Sequence, residues 1–155
     1  MITLGQVGLG YWGPNVLRNF AGLHQVYMKA CCDLDETALK RIAMQNPGIV
    51  TTTDYKVLLD DPDIEAVVVT APTPSHYELA KAALLTGRHV FVEKPIALAV
   101  EQAEELVSLA AERRRVLMVG HLLMYHPAVT RLKQMVTGGE LGDIYYLYSS
   151  RLNLG

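Results

Sequence analysis

The chain has 155 residues, 50% of them hydrophobic, and a formal net charge of −2 at pH 7. That is apolar material for one well-filled domain, and the charge balance gives no electrostatic case for nucleic acid. No apolar run reaches membrane-spanning length and the N-terminus lacks the basic segment and apolar core of a signal peptide, so no membrane partner and a cytoplasmic location are expected.

Ile2 to Val7 reads as a short buried strand. It runs into Gly8-Leu9-Gly10-Tyr11-Trp12-Gly13-Pro14-Asn15, whose glycines hold the first, third and sixth positions of G-x-G-x-x-G. Between a strand and a helix this spacing has a physical use. Gly8 permits a tight turn, Gly10 lets backbone approach a pyrophosphate, and Gly13 lets helix and strand pack closely. The helix, expected from Asn15 to Leu23, would aim its free N–H groups and positive dipole end at the phosphates, with Tyr11 and Trp12 in the turn beside them. Glycine triplets also mark ordinary turns, so the surroundings decide. A second apolar run, Val26 to Cys32, ends at Asp33, 20 residues after Gly13, the offset at which a carboxylate meets the adenosine ribose hydroxyls. Asp33 and Asp35, with no arginine in the turn, would repel a 2′-phosphate and favour NAD over NADP. Cys31 and Cys32 point to opposite faces of one strand and read as buried free thiols.

A helix is expected from Glu36 to about Gln45, capped by Asp35 and stopped by Asn46-Pro47-Gly48. A short strand at Ile49 to Thr51 and a helical turn or two at Asp54 to Leu59 follow. Ile64 to Thr70 is nearly all apolar, as suits a central strand of a parallel sheet. It ends in Ala71-Pro72-Thr73-Pro74-Ser75-His76, where Ser75 and Glu78 have the spacing of a capping box for a helix to about Leu85. Thr73 and Pro74 form either a shelf beside a ribose or a bare turn. His76, in the first turn of that helix, is either a contact to cofactor or substrate or a structural histidine. His89 to Val92 is a fifth strand and delivers Glu93-Lys94-Pro95 at its carboxyl end. A helix from Val100 to Arg113, with Val100, Ala103, Val107 and Ala110 on its buried face, a sixth strand at Val116 to Val119, and a helix from Pro127 to about Val136 complete the series.

Strands alternating with helices predict an α/β fold, a doubly wound parallel sheet of order 3-2-1-4-5-6, over residues 1–120. Residues 121–155 read as a connecting helix and, at Ile144 to Leu154, the first strand of an incomplete α+β substrate or oligomerisation domain. Both faces of that strand carry apolar residues and call for cover.

Lys94 leaves a central strand where the nicotinamide would lie if the pyrophosphate sits on Gly10 to Gly13. Its ammonium could stabilise negative charge developing on a substrate oxygen during hydride transfer, or Glu93 and Lys94 could be a solvated loop pair. No spacing of His, Cys, Asp and Glu resembles a metal site.

Together, Gly8-Leu9-Gly10-Tyr11-Trp12-Gly13-Pro14-Asn15, Ala71-Pro72-Thr73-Pro74-Ser75-His76 and Glu93-Lys94-Pro95 resemble the successive motifs of the Gfo/Idh/MocA oxidoreductases. The resemblance covers essentially this whole chain but about half of a family member. It implies NAD(P)-dependent hydride transfer at a C–OH of a sugar, inositol or sugar-nucleotide, with Lys94 catalytic. Gly8, Gly10, Tyr11, Trp12, Gly13, Asp33, Thr73, Pro74, His76, Glu93 and Lys94 would be around the cofactor. The Tyr-Trp-Gly-Pro-Asn variant and the ending Ser150-Arg151-Leu152-Asn153-Leu154-Gly155 look most like the branch of UDP-N-acetylhexosamine 3-dehydrogenases. Met124 stands where many members carry an arginine. The family's second catalytic residue, a histidine, is expected beyond Gly155, so these residues alone should bind cofactor and turn over little. Homo-oligomers through the C-terminal sheet are implied for the intact protein. A non-catalytic NAD-binding regulatory module, or the same scaffold acting on a non-sugar substrate, are the competing readings.

Overall fold

The computed structural model describes residues 1–150 and Leu152. Six parallel strands form one sheet in the order β3-β2-β1-β4-β5-β6. They are β1 (Ile2–Val7), β2 (Val26–Cys32), β3 (Val50–Thr52), β4 (Ala66–Val69), β5 (His89–Val92) and β6 (Leu117–Val119). This is the Rossmann arrangement, with the order and handover between β1 and β4 that the sequence predicts. The chain divides into two compact units, the first ending at Gly120 and the second beginning at His121.

In the first unit the sheet is covered on both faces, which explains its unbroken apolar strands. Val7, Cys32, Val67, Val69, Val90 and Val92 pack with α4 (His76–Leu85) and α5 (Val100–Glu112) on one side. Leu4, Met28, Cys31, Ala66 and Val68 pack with α1 (Gly13–Ala21) and α2 (Glu36–Gln45) on the other. Cys31 and Cys32 thus enter opposite layers as buried free thiols. Burial pushes both thiols up, Cys31 to about 12 and Cys32 to about 11.

Several local expectations shift. α1 begins at Gly13 with Pro14 in its first turn, where a missing N–H costs nothing. α2 is capped as expected, Asp35 accepting from Thr37 N at 2.8 Å. The capping box at Ser75 and Glu78 does not form. Ser75 is in helical backbone at the end of a 3₁₀ turn, Thr73–Ser75, and makes no side-chain cap, because a capping side chain needs extended backbone. In α5 the buried residues are Leu106 and Ala110, while Val100 and Val107 are exposed. The apolar stripe therefore runs about one residue off the expected face, with Leu109 packed on the same core.

The second unit contains α6 (Pro127–Thr137), whose N-cap is His126, Nδ1 accepting from Ala128 N at 3.2 Å. Arg131 holds Glu140 through two nitrogens at 2.8 and 3.1 Å. The strand expected over Ile144 to Leu154 is not present at residues 144–150, which form no ladder with any described strand. Isolated extended backbone leaves its N–H and C=O groups to water. Arg151 and the stretch from Asn153 onward lie outside the described residues.

Candidate functional site

Strand register builds the site. Val7 pairs with Cys32 and Val69, Val69 with Val92, and Val92 with Val119. The next residue of each strand therefore leaves the sheet in one row: Asp33, Gly8, Thr70, Glu93 and Gly120. Backbone bonds Gly8 N to Cys32 O, Thr70 N to Val7 O, Glu93 N to Val69 O and Gly120 N to Val92 O, all 2.8–2.9 Å, carry the ladder into that row. At about 4.8 Å per strand, Asp33 and Glu93 are roughly 14 Å apart along the carboxyl edge, on either side of the β1–β4 switch where open α/β sheets bind ligands.

The three glycines differ in what they meet. Gly8 has φ +101° and a Cβ there would lie 2.3 Å from Ala71 N. A Cβ on Gly13 would lie 2.5 Å from Gly8 O. Those two allow the turn and the close helix approach. A Cβ on Gly10 would meet nothing within 4 Å, so the space above it is open on the side a ligand would enter. Among the described residues, the N–H groups of Gly10, Tyr11 and Trp12 have no protein acceptor. Tyr11 is almost fully exposed and Trp12 partly so. Free donors, an open cradle and the start of a nine-residue helix suit a pyrophosphate.

Asp33 is occupied differently from a bare strand-end acid. Its Oδ2 accepts from Leu9 N and its Oδ1 from Asp35 N at 2.8 Å. It thereby joins the glycine turn to the head of α2, and each oxygen keeps a lone pair for a further donor.

Two residues under the turn escaped the sequence reading. Gln6 is fully buried, and the two hydrogens of its Nε2 are shared among three acceptors within reach, Gly8 O at 3.0 Å, Gly13 O at 2.9 Å and Thr70 Oγ1 at 3.0 Å. Thr70 Oγ1 donates to Gly8 O at 2.6 Å. The available signal was an amide amid apolar β1, two residues before the first glycine.

Thr73 and Pro74 form the 3₁₀ turn beyond β4, Pro74 exposed. His76 is 2% exposed, with Nδ1 2.7 Å from Pro95 O and Nε2 2.7 Å from Ala71 O. Backbone carbonyls thus take both ring nitrogens, and the imidazole ties the loop after β4 to the loop after β5.

Glu93 and Lys94 are not a solvated pair. Glu93 is 8% exposed, its Oε2 accepting from the Lys94 backbone N–H at 3.2 Å and its buried Oε1 having no partner among the described residues. The Lys94 side chain is exposed, with no ion pair among the described residues. The Lys94–Pro95 peptide is cis.

The chain resembles an inositol 2-dehydrogenase/D-chiro-inositol 3-dehydrogenase of Lactiplantibacillus plantarum, 34% identical over 143 residues, 90% of this chain and 41% of that protein. GenD2 from gentamicin A biosynthesis, in complex with NAD, superposes with a TM-score of 0.85 at 29% identity over 90% of this chain and 40% of the other. A 3-ketoreductase from Actinomadura kijaniata, in complex with TDP-benzene and NADP, superposes with a TM-score of 0.83 at 28% identity, covering 92% and 46%. The chain spans about two fifths of the curated relatives it matches. Inositol dehydrogenases stand among the named relatives, and no UDP-N-acetylhexosamine 3-dehydrogenase stands among these, which corrects the expectation of that branch. Residues 2–121 match the model of the oxidoreductase family with an NAD-binding Rossmann fold, and the chain accordingly belongs to the Gfo/Idh/MocA oxidoreductases as their NAD(P)-binding domain.

Proposed function

We propose that the chain is the cofactor-binding part of an NAD-dependent dehydrogenase that oxidises a C–OH of an inositol or sugar. The observation that carries this reading is the row Asp33, Gly8, Thr70, Glu93 along the carboxyl edge, with Lys94 exposed next to its end. The pyrophosphate would lie on the free N–H groups of Gly10 to Trp12, the adenosine ribose on Asp33, and the nicotinamide ribose near Thr73, Pro74 and Glu93. The bound nicotinamide supplies the hydride acceptor. Lys94 holds the substrate oxygen through its ammonium and lowers the cost of negative charge there as the hydroxyl proton departs to a base. The base belongs to the intact protein, by the family resemblance a histidine. His76, with both nitrogens on backbone, supports the loops rather than touching cofactor. Inositols and sugars are favoured because named relatives are inositol dehydrogenases.

Lys94→Ala in the intact protein tests this reading. Turnover should fall about 10²-fold or more, with NADH affinity changed less than about threefold. Unchanged turnover would remove Lys94 from the reaction, and an intact protein that binds NADH but turns over no inositol or sugar would favour a regulatory NAD-binding module.

A further inference from the structure

We propose that Gln6 and Thr70 are positioning residues of the dinucleotide site, acting through the Gly8–Leu9 peptide on Asp33. This rests on the cofactor reading above and adds the interior support that sets it.

The argument starts from one peptide plane. The Gly8–Leu9 bond is trans, so its C=O and N–H point in opposite directions. The carbonyl end is held from below by Gln6 Nε2 at 3.0 Å and Thr70 Oγ1 at 2.6 Å. The N–H end then points to Asp33, and Leu9 N donates to Oδ2. Gln6 and Asp33 thus grip the same plane from its two ends. Donation to the carbonyl polarises the peptide and strengthens the N–H as a donor to the carboxylate. Gln6 Nε2 also holds Gly13 O at 2.9 Å, fixing the first and last glycines of the turn to one amide.

The orientation of that amide is settled by its neighbours. Rotating it by half a turn would set Oε1 against the Gly8 and Gly13 oxygens, which have nothing to donate. The actual orientation leaves Oε1 buried with no partner among the described residues. An apolar side chain of similar length would avoid that cost, so what Gln6 contributes is its donors. They turn two carbonyls inward and leave the N–H groups of Gly10, Tyr11 and Trp12 for the ligand.

The test is NADH titration of the folded chain, followed by Trp12 fluorescence, with the exchange rate of the Leu9 amide as a second readout. Gln6→Met should weaken NADH about tenfold and speed Leu9 exchange by a similar factor. Placed on Asp33→Ala, which removes the acceptor for Leu9 N, the same change should cost less than about threefold, because the two residues act through one peptide. Thr70→Val should weaken NADH in the same direction and Thr70→Ser should restore it, which keeps the test open if Gln6→Met fails to fold. Equal losses from Gln6→Met with and without Asp33→Ala, or an unchanged Leu9 amide, would overturn the coupling. A folded wild-type chain that does not bind NADH would instead overturn the cofactor reading itself, and this inference with it.

Discussion

The Glu93 carboxylate lies against the α-carbon of Gly120, where an added Cβ would come within 2.9 Å of Oε1 and 3.1 Å of Oε2. Gly120 has no left-handed backbone to maintain, so the contact alone explains why a side chain does not fit. Gly120→Ala should cost about 1–3 kcal/mol by overpacking, read as a lower urea midpoint. The cost should nearly vanish in a Glu93→Ala background. An equal cost in both backgrounds would place the strain elsewhere.

The imidazole of His76 is the tie between Ala71 O and Pro95 O. His76→Ala leaves those carbonyls without the ring and opens a cavity, and should cost about 2–4 kcal/mol in chemical denaturation. His76→Phe restores volume without a donor and should recover only part of that. Full recovery by Phe would show that packing alone is at work.

The pattern of apolar runs made the sheet legible, because a parallel strand covered on both faces has few other ways to look. β2 and β5 fall where the sequence places them, and the strand order follows from alternation with helices. What periodicity could not settle is which of two adjacent stripes of a weakly amphipathic helix is buried, hence the error at Val107. The Ser75–Glu78 spacing failed because a 3₁₀ turn fixes Ser75 in helical backbone. At the site, the glycines, Asp33 and Lys94 stand out by motif. Gln6 does not, since its role depends on three acceptors, Gly8, Gly13 and Thr70, the last of which is 64 residues away. The burial of Glu93 depends on β6 bringing Gly120 beside it and was equally hidden.

Stability should fall at alkaline pH through the buried thiols. Cys31 is pushed up to about 12 and Cys32 to about 11, in both cases by burial first. Above the unfolded value, near pH 9, the unfolded chain loses thiol protons that the folded chain retains, so stability declines as pH rises from there toward the folded values. Cys31 alone should cost about 2 kcal/mol by about pH 10.5. Urea midpoints between about pH 8 and pH 10.5 should fall less steeply in Cys31→Ala than in the wild type. Parallel slopes would remove Cys31 from the explanation.

The choice between NAD and NADP should rest on charge at Asp33. A 2′-phosphate placed about 5 Å from the carboxylate meets a repulsion of about 1–3 kcal/mol at the effective dielectric of a half-exposed site, enough for roughly 5- to 150-fold discrimination. Asp33→Asn removes the charge and keeps an oxygen to accept from Leu9 N, while Asp35 still caps α2. Trp12 is the only tryptophan in the chain, so its fluorescence reports both titrations directly. The wild type should bind NADH well ahead of NADPH, and Asp33→Asn should narrow that gap about tenfold, mainly by improving NADPH. Raising ionic strength should narrow the wild-type gap as well, because a partly exposed charge is screened, and should change the gap of Asp33→Asn little. A folded Asp33→Asn protein with the wild-type preference and the wild-type salt dependence would move the discrimination away from Asp33, leaving it only the role of holding Leu9.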